Sequence, residues 1–352
     1  MPKPRVFVTR HLPGDALELL AKGTDLIVWP DELPTPREEL LREVARCDGL
    51  LTLLTDGVDD ELLERAPRLR VISNMATGFD NIDLEAASRH KVLVTRTPGV
   101  LSATTAEFTI GLMFAAARRV VEGDRAVRSG EWNTWGPEVL LGQDLSGSTL
   151  GIVGMGGIGR EVAHRARALG MRLVYFSRSR KPALERRYGM EFLALDQLFR
   201  ESDFVSLHAP LTSETRHMVN RRTLARMKPT AILVNTARGP LVDQTALYEA
   251  LSEGRIGAAA LDVTDPEPIP PDDPLVSLPN VIVTPHIASA TVATRSRMAM
   301  LAVQNLLEAL AGRPPKHVVN REIVEAWRAR VPKSRVAVGN HAESKDSVRF
   351  DD

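Results

Sequence analysis

The chain contains 352 residues, of which 43% are hydrophobic and 26% are charged, an ordinary globular composition. This length exceeds what one hydrophobic core usually serves, so we expect two domains. Lys plus Arg and Asp plus Glu both number 45, so the charge balance gives no reason to expect a nucleic acid or a membrane as partner. A small molecule is the expected ligand.

Two further features predict a cytoplasmic protein. The single cysteine, Cys47, cannot form an intramolecular disulfide, which fits a reducing compartment. The segment Met1–Val8 lacks the apolar region of a signal peptide, and no uncharged apolar stretch is long enough to span a bilayer.

Short apolar runs alternate with helix-like segments over the first hundred residues, which is the pattern of βα units. Parallel strands need such crossovers, so this part is predicted to form one small, doubly wound α/β domain. Its candidate strands are Val6–Thr9, Asp25–Val28, Gly49–Leu54, Arg70–Ser73 and Val92–Thr95.

A segment rich in Ala, Leu, Met and Arg then predicts one helix from Thr104 to about Ser129 that leads away from the first domain. A second βα series follows, and a final helix over Thr291–Ala311 returns the chain to the first domain. The candidate strands of this series are Thr149–Val153, Arg172–Phe176, Phe204–Leu207, Ala231–Asn235, Gly257–Leu261 and Val281–Thr284.

This order predicts a discontinuous substrate domain of residues 1–100 and 288–325 around a dinucleotide-binding domain of residues 101–287. The polar, breaker-rich residues 336–352 have no apolar period to bury, so we expect them to be disordered.

A glycine motif follows the first strand of the second series and opens the helical segment Arg160–Leu169, which is the context that G-x-G-x-x-G requires. The first glycine permits a tight turn, the second lets the backbone approach a pyrophosphate, and the third allows close packing of helix on strand. The N–H groups of the first helical turn would face the phosphates. The motif reads Gly154, Met155, Gly156, Gly157, Ile158 and Gly159, and it predicts a bound dinucleotide.

The end of the next strand usually separates NAD from NADP, because an acidic side chain there binds the ribose 2′-hydroxyl and repels a 2′-phosphate. This chain has no acid at that place. It has Ser177, Arg178, Ser179, Arg180 and Lys181, whose hydroxyl and cationic groups suit a 2′-phosphate. We therefore expect NADP as the preferred cofactor, with a solvated basic loop that tolerates NAD as the alternative.

Three polar motifs lie at the ends of later candidate strands, where open α/β sheets bind ligands. Each contributes one group to a possible reduction of a 2-keto acid. Arg238 offers a guanidinium for the substrate carboxylate and His286 a proton for the keto oxygen. Glu267 would hydrogen-bond one imidazole nitrogen, favour the imidazolium and leave the other nitrogen to face the substrate. The hydride would come from the nicotinamide.

With these motifs the chain resembles the D-isomer-specific 2-hydroxyacid dehydrogenases. The resemblance covers roughly residues 3–325 and includes the glycine motif, the catalytic motifs, the domain order and the segment Ala76–Asp83. It implies two doubly wound α/β domains with parallel sheets, a Rossmann dinucleotide-binding domain and a flavodoxin-like substrate domain. It also implies catalytic roles for Arg238, Glu267 and His286, and it implies no metal.

The same resemblance implies further contacts. Thr104 would approach the nicotinamide, Asp262 would bind its amide, and backbone N–H groups around Thr77 and Gly78 would receive the substrate carboxylate. The remaining implied cofactor contacts are Thr236 and Ala237 beside Arg238, and His208 and Pro210 along the adenosine. For His208 a packed histidine at a strand end is the alternative.

Within the family the chain is most similar to glyoxylate and hydroxypyruvate reductases. In similar enzymes a tryptophan matching Trp135 reaches the active site of the neighbouring subunit, which implies a homodimer formed through the Rossmann domain; alternatively Trp135 anchors its own arm. Other dehydrogenases of the family, acting on 2-ketogluconate, phosphoglycerate or phosphite, remain alternatives. Formate dehydrogenases carry glutamine at the place of Glu267, and phosphite dehydrogenases usually carry lysine near Thr77, which disfavours both. The alternative from another class is a dinucleotide-sensing co-repressor of the same fold.

Overall fold

The computed structural model describes residues 2–330, so the tail predicted to be disordered lies outside the described residues. The chain divides into two compact units. The first unit combines the described parts of Met1–Pro98 and Arg295–Asp352, and the second unit is Gly99–Thr294. The sequence predicted the two boundaries after residues 100 and 287.

The first unit is built on a five-stranded parallel sheet. Its strands are β1 (Arg5–Val8), β2 (Asp25–Val28), β3 (Gly49–Thr52), β4 (Val71–Asn74) and β5 (Leu93–Thr95), and its first helices are α1 (Ala16–Gly23), α2 (Arg37–Val44), α3 (Asp60–Arg65) and α4 (Leu84–Arg89). The order β2-β1-β3-β4-β5 is that of flavodoxin-like folds, as the resemblance implied. Phe7, Leu50, Ile72 and Val94 from four of the strands share one core cluster.

The second unit is built on a seven-stranded parallel sheet. Its strands are β6 (Thr149–Val153), β7 (Arg172–Phe176), β8 (Glu191–Phe192), β9 (Phe204–Leu207), β10 (Ile232–Asn235), β11 (Ala258–Leu261) and β12 (Val281–Val283). Its helices are α5 (Ser102–Ala117), α6 (Val120–Arg128), α7 (Gly157–Ala168), α8 (Pro182–Tyr188), α9 (Leu195–Glu201), α10 (Arg221–Leu224), α11 (Gln244–Ser252) and α12 (Pro274–Ser277). The order β12-β11-β10-β9-β6-β7-β8 is the Rossmann order with one added strand, so the predicted α/β class is confirmed.

The structure differs from the sequence prediction at the long helix, which is broken between α5 and α6. Arg119 adopts a left-handed conformation with φ of 51°, which a continuous helix cannot contain. The carbonyl of Ala117 accepts the N–H of Gln143 at 2.9 Å, and Gly142 passes close to this carbonyl. The long-range contact replaces a helical hydrogen bond and turns the chain.

The chain leaves the second unit in α13 (Val292–Leu310) and ends its described part in α14 (Val324–Arg330). Within the first unit, Asn320 accepts the N–H of Val94 through its side-chain oxygen at 2.9 Å. The fully buried Trp327 donates its indole N–H to the carbonyl of Arg70 at 2.9 Å. Both ends of the chain are thus needed to complete this unit. Among residues 2–330, no helix has the length and apolar character needed to cross a membrane.

Candidate active site

The polar motifs of the second unit meet at one edge of its sheet. All seven strands are parallel, so their carboxyl ends share an edge, and the strand order reverses between β6 and β9. Open α/β sheets bind ligands in the crevice at such a reversal. The glycine motif follows β6 and His208 follows β9, while Arg238, Asp262 and His286 follow β10, β11 and β12.

The fold requires glycine at two positions of the glycine motif but not at Gly156. Gly154 has φ of 100°, and a Cβ there would lie 2.5 Å from the carbonyl oxygen of His208. A Cβ on Gly159 would lie 2.1 Å from the carbonyl oxygen of Gly154. A Cβ on Gly156, in contrast, would meet nothing within 4 Å. The space beside Gly156 is therefore open, as a bound pyrophosphate requires.

The amino terminus of α7 supplies the donors for this space. The first intrahelical hydrogen bond runs from the N–H of Arg160 to the carbonyl of Gly156 at 3.0 Å, so the preceding N–H groups of Gly157 and Ile158 have no partner within the helix. These groups and the helix dipole favour an anion. Together with the open face of Gly156 they fit a dinucleotide.

The loop after β7 is tied to α8 through two side chains. Glu185 accepts two hydrogen bonds from the Arg180 guanidinium at 2.8 Å, and it accepts the hydroxyl of the buried Tyr175 at 2.8 Å. The Tyr175 hydroxyl in turn accepts the N–H of Lys181 at 2.6 Å. The hydrogen bond from Arg180 holds the pKa of Glu185 below its ordinary value. Arg180 is thus engaged by the protein itself.

Ser177 is engaged as well, since its hydroxyl donates to the carbonyl of Ser179 at 2.7 Å. Arg178 differs, because it takes part in none of the hydrogen bonds or ion pairs found among residues 2–330. The pKa of Glu214 is lowered mainly by the Thr212 hydroxyl, with a smaller coulombic contribution from Arg178. Of the two arginines in the loop, Arg178 is the one with donors available for a ligand.

His208 lies where the loop after β9 passes the glycine motif. Its Nε2 lies 2.9 Å from the hydroxyl of the buried Ser206, and its Nδ1 is buried with no hydrogen-bond partner among the described residues. Burial lowers the pKa of His208 to about 3, so the imidazole is neutral near pH 7. The ring offers an uncharged surface rather than a cation.

Arg238 projects from a turn that is fixed by a buried asparagine. The Asn235 side chain accepts the N–H of Ala237 at 3.0 Å and donates to the carbonyl of Arg238 at 2.8 Å. A Cβ on the next residue, Gly239, would lie 1.8 Å from the carbonyl oxygen of Thr264. Only glycine therefore allows the Arg238 turn to pack against the loop that follows β11. Neither Asn235 nor Gly239 was assigned a role from the sequence.

Asp262 organises the loop that carries His286. Asp262 is 1% exposed, and its carboxylate accepts the Thr284 hydroxyl at 2.6 Å and the N–H groups of Ile287 and Ala288 at 2.9 and 2.7 Å. His286 itself has φ of 55°, a left-handed conformation that is rare outside glycine. The three hydrogen bonds offset the strain of this conformation.

Glu267 and His286 lie in contact at the end of the sheet. Nδ1 of His286 lies 2.6 Å from Oε1 of Glu267, within hydrogen-bonding distance. This contact orients the ring and leaves Nε2 on the opposite side. The predicted partnership of these two residues is therefore present in the geometry, 19 residues apart in the chain.

Three further residues of the second unit were predicted to contact the cofactor or the substrate, namely Thr104, Thr236 and Trp135. The Thr104 hydroxyl lies 2.7 Å from that of Thr294, and the Thr236 hydroxyl lies 2.9 Å from that of Thr109. Trp135 is 80% exposed, so within this chain it is not packed into a core.

In the first unit, the loop after β4 has its carbonyls held in place. Arg96 donates to the carbonyl of Thr77 at 3.2 Å, and Asn74 donates to that of Gly78 at 3.1 Å. Because a trans peptide is planar, the N–H group of Gly78 points away from Arg96. The loop thus has a fixed conformation with its N–H directions set.

Comparison with known proteins assigns the chain to a family. A model described as "D-isomer specific 2-hydroxyacid dehydrogenase, NAD binding domain" matches residues 110–288. The chain belongs to this family. Its members interconvert 2-keto acids and 2-hydroxy acids of D configuration with a nicotinamide cofactor, which agrees with the motifs described above.

Individual relatives extend over almost the whole chain. The glyoxylate reductase of Aeropyrum pernix is 54% identical over 329 residues, which cover 92% of this chain and 98% of the relative. The crystal structure of the TT0316 protein from Thermus thermophilus is 52% identical with a TM-score of 0.84, covering 90% of this chain and 99% of that one. An NADPH-dependent glyoxylate/hydroxypyruvate reductase from Sinorhizobium meliloti, in complex with NADP and malonate, is 29% identical with a TM-score of 0.78, covering 90% and 97% of the two chains.

Proposed function

We propose that this dehydrogenase reduces glyoxylate and hydroxypyruvate to their 2-hydroxy acids, with NADPH as the preferred hydride donor. The hydrogen bond of 2.6 Å between His286 and Glu267 is the observation that carries the proposal. A relative named glyoxylate reductase is 54% identical over nearly its full length, which supports the choice of substrate.

In this proposal His286 is the proton donor. A 2-keto acid becomes a 2-hydroxy acid when hydride reaches the keto carbon and a proton reaches the keto oxygen. Glu267 accepts from Nδ1 of His286, so a protonated ring presents its second N–H, on Nε2, to the substrate. The contact also fixes the orientation of the ring, so that Nε2 and not Nδ1 faces away from Glu267.

Arg238 is proposed to bind the substrate carboxylate through its planar guanidinium. The turn held by Asn235 and Gly239 fixes the backbone from which this side chain extends. The nicotinamide, when bound, supplies the hydride. Roles for Thr77 and Gly78 at the substrate, and for Thr104, Thr236 and Asp262 at the nicotinamide, remain predictions.

The preference for NADPH is proposed to depend on the loop after β7. This loop carries no acid that would repel a 2′-phosphate, and Arg178 has donors available. A relative of this chain is named NADPH-dependent and was crystallised with NADP, which supports the same preference. The glycine motif and the amino terminus of α7 would bind the pyrophosphate of either cofactor.

The test is turnover by the purified protein with each pairing of NADPH or NADH with glyoxylate or hydroxypyruvate, followed by the absorbance of the reduced nicotinamide. We expect turnover with both acids and a higher kcat/KM for NADPH. We expect His286→Ala to lose turnover while it still binds NADPH, and Arg238→Ala to raise the KM of the keto acid. Cofactor binding without turnover on any small keto acid would overturn the proposal and favour the co-repressor.

We further propose that the protein is a homodimer formed through an apolar surface of the second unit. This surface, on α6 and the arm after it, consists of Val120, Val121, Val127, Trp132, Trp135, Val139 and Leu141, each at least 40% exposed. Many exposed apolar side chains within one stretch of chain are more typical of an interface than of a monomer surface. A second copy of the chain would cover it. Light scattering should give twice the monomer mass, and Val127→Asp should reduce it; a monomeric wild-type protein would exclude the dimer.

A further inference from the structure

The loop that carries Glu267 is anchored at both ends by one side chain outside it. Oε1 of Gln244 accepts the N–H of Asp265 at 3.2 Å, and Nε2 of Gln244 donates to the carboxylate of Asp273 at 2.9 Å. Gln244 is the first residue of α11, whose amino terminus is capped by Asp243. The amide group thus joins the start of the loop to its end.

The two anchored residues are themselves fixed by the fold. Asp273 uses its other oxygen to accept the N–H of Leu275 at 2.9 Å and so caps α12. Beside Asp265, the Thr264 hydroxyl donates to the carbonyl of Pro266 at 2.8 Å. The Thr264 carbonyl lies against Gly239, next to Arg238. A shift of the Gln244 anchor would therefore move the segment that leads directly to Glu267.

Glu267 lies between these anchors and depends on them for its position. Its side chain is 35% exposed, so packing alone does not hold the carboxylate at 2.6 Å from His286. A neighbouring ion pair is long and exposed, with Arg216 at 3.8 Å from Asp265 and both side chains at least 40% exposed, and such pairs contribute little. The Gln244 amide is the stronger constraint.

We propose that Gln244 is a positioning residue of the reaction, holding the loop so that the Glu267 carboxylate stays within hydrogen-bonding distance of His286. This inference depends on the proposed function, because it assigns Gln244 to the proton-donating pair. Residues that orient a functional group through a hydrogen bond commonly change activity by about 10- to 100-fold when removed.

The experiment compares Gln244→Ala and Gln244→Glu with the wild-type protein. Gln244→Glu retains an acceptor for the Asp265 N–H but opposes a carboxylate to Asp273, so it should behave like the alanine variant. Gln197→Ala is the matched control, because Gln197 also donates to a carboxylate, that of Glu201 at 2.7 Å, but lies on α9. For each protein we would measure kcat and KM with NADPH and glyoxylate, the Kd of NADPH, and Tm.

We expect both Gln244 variants to lose about 10-fold in kcat/KM near neutral pH, with the Kd of NADPH changed less than about 2-fold. The loss should lie mainly in kcat, with the KM of glyoxylate changed less than about 2-fold, because a displaced Glu267 misorients the His286 ring and leaves the carboxylate-binding group in place. Gln197→Ala should match the wild type. A lower Tm with unchanged kcat and KM would show a purely structural role and overturn the inference.

The NMR signal of the proton between His286 Nδ1 and Glu267, recorded without substrate, separates this inference from the proposed function. If the wild-type protein fails to reduce any keto acid, the proposed function fails, yet this signal still reports the Glu267 contact. We expect it to move upfield in Gln244→Ala, because a longer hydrogen bond deshields the proton less. An unmoved signal would reject the positioning role whatever the substrate.

Discussion

The carbonyl oxygen of Asp262 accepts the N–H of His286 at 3.0 Å, and its carboxylate accepts three further donors from the same loop. One buried residue thus holds the candidate proton donor by main chain and side chain together. A left-handed residue costs about 1–3 kcal/mol and persists only where its surroundings enforce it. Asp262 supplies the constraint that holds His286 in this conformation.

We predict that Asp262→Asn lowers kcat by about 100-fold and destabilises the fold by about 1–3 kcal/mol, because an amide N–H would then oppose one of the loop's donors. Steady-state kinetics and urea unfolding would measure both effects. Asp83→Asn is the control, since Asp83 caps α4 in the first unit and asparagine caps helices equally well. A wild-type kcat in Asp262→Asn would contradict the conclusion that Asp262 holds His286 in its functional position.

The glycine motif offers a pair of substitutions with opposite outcomes. Gly156→Ala should leave Tm nearly unchanged, because its Cβ meets no atom within 4 Å, but weaken NADPH binding by about 10-fold or more by obstructing the pyrophosphate. Gly159→Ala should destabilise the fold by about 1–3 kcal/mol, because its Cβ would lie 2.1 Å from a carbonyl oxygen. Thermal unfolding and cofactor titration distinguish the two. Wild-type NADPH binding by Gly156→Ala would show that the open space is not the pyrophosphate site.

The two arginines after β7 should differ in their effect on cofactor choice. Arg178→Gln should raise the KM of NADPH by about 10-fold or more and leave that of NADH within about 2-fold, since one charge-assisted contact to the 2′-phosphate is lost. Arg180→Gln should have a smaller effect, because Arg180 is already paired with Glu185. Kinetics with both cofactors provide the measurement. Equal effects of the two variants on NADPH would refute this division.

Burial of His208 predicts a loss of stability in acid. Its pKa is lowered from 6.5 to about 3, so between these values the unfolded chain binds a proton that the folded chain excludes. The free energy of unfolding therefore decreases as the pH falls below 6.5. We compare the unfolding free energy of His208→Gln with that of the wild type at each pH. This difference should favour the variant by about 1 kcal/mol more at pH 5.5 than at pH 8.

Chemical unfolding at the two pH values measures this gain. His11→Gln, at an exposed histidine, serves as the control and should show the wild-type pH dependence. If His208→Gln gained nothing at the lower pH, the histidine would have to take up its proton in the folded protein.

The features that sequence analysis predicted are those encoded by neighbouring residues. The parallel strands and the glycine motif each lie within one short segment, and the catalytic motifs each follow a recognisable strand. Gln244 could not be found in this way, because its partners lie 21 and 29 residues away and become neighbours only in the folded unit. The break at Arg119 was missed for the same reason, since a contact with a distant arm decides it.

The loop after β7 shows why the sequence alone could not distinguish two residues of the same type. From composition alone, Arg178 and Arg180 are equivalent donors for a phosphate. The structure shows that Arg180 is paired with Glu185 of α8. The Glu185 carboxylate also accepts the hydroxyl of the buried Tyr175. Composition predicted an anionic ligand at this loop, whereas the hydrogen-bond network distinguishes its two arginines.

The insertion of the second unit between β5 and α13 also sets the order in which the protein can form during translation. The second unit is continuous in sequence and is complete as soon as it emerges, whereas the first unit lacks Asn320 and Trp327 until the ribosome has added roughly 220–230 residues beyond Pro98. At about 5–20 residues per second this delay lasts about 10–50 s. For that interval the earliest strands to be synthesised present their unfinished apolar surface to chaperones and to other nascent chains.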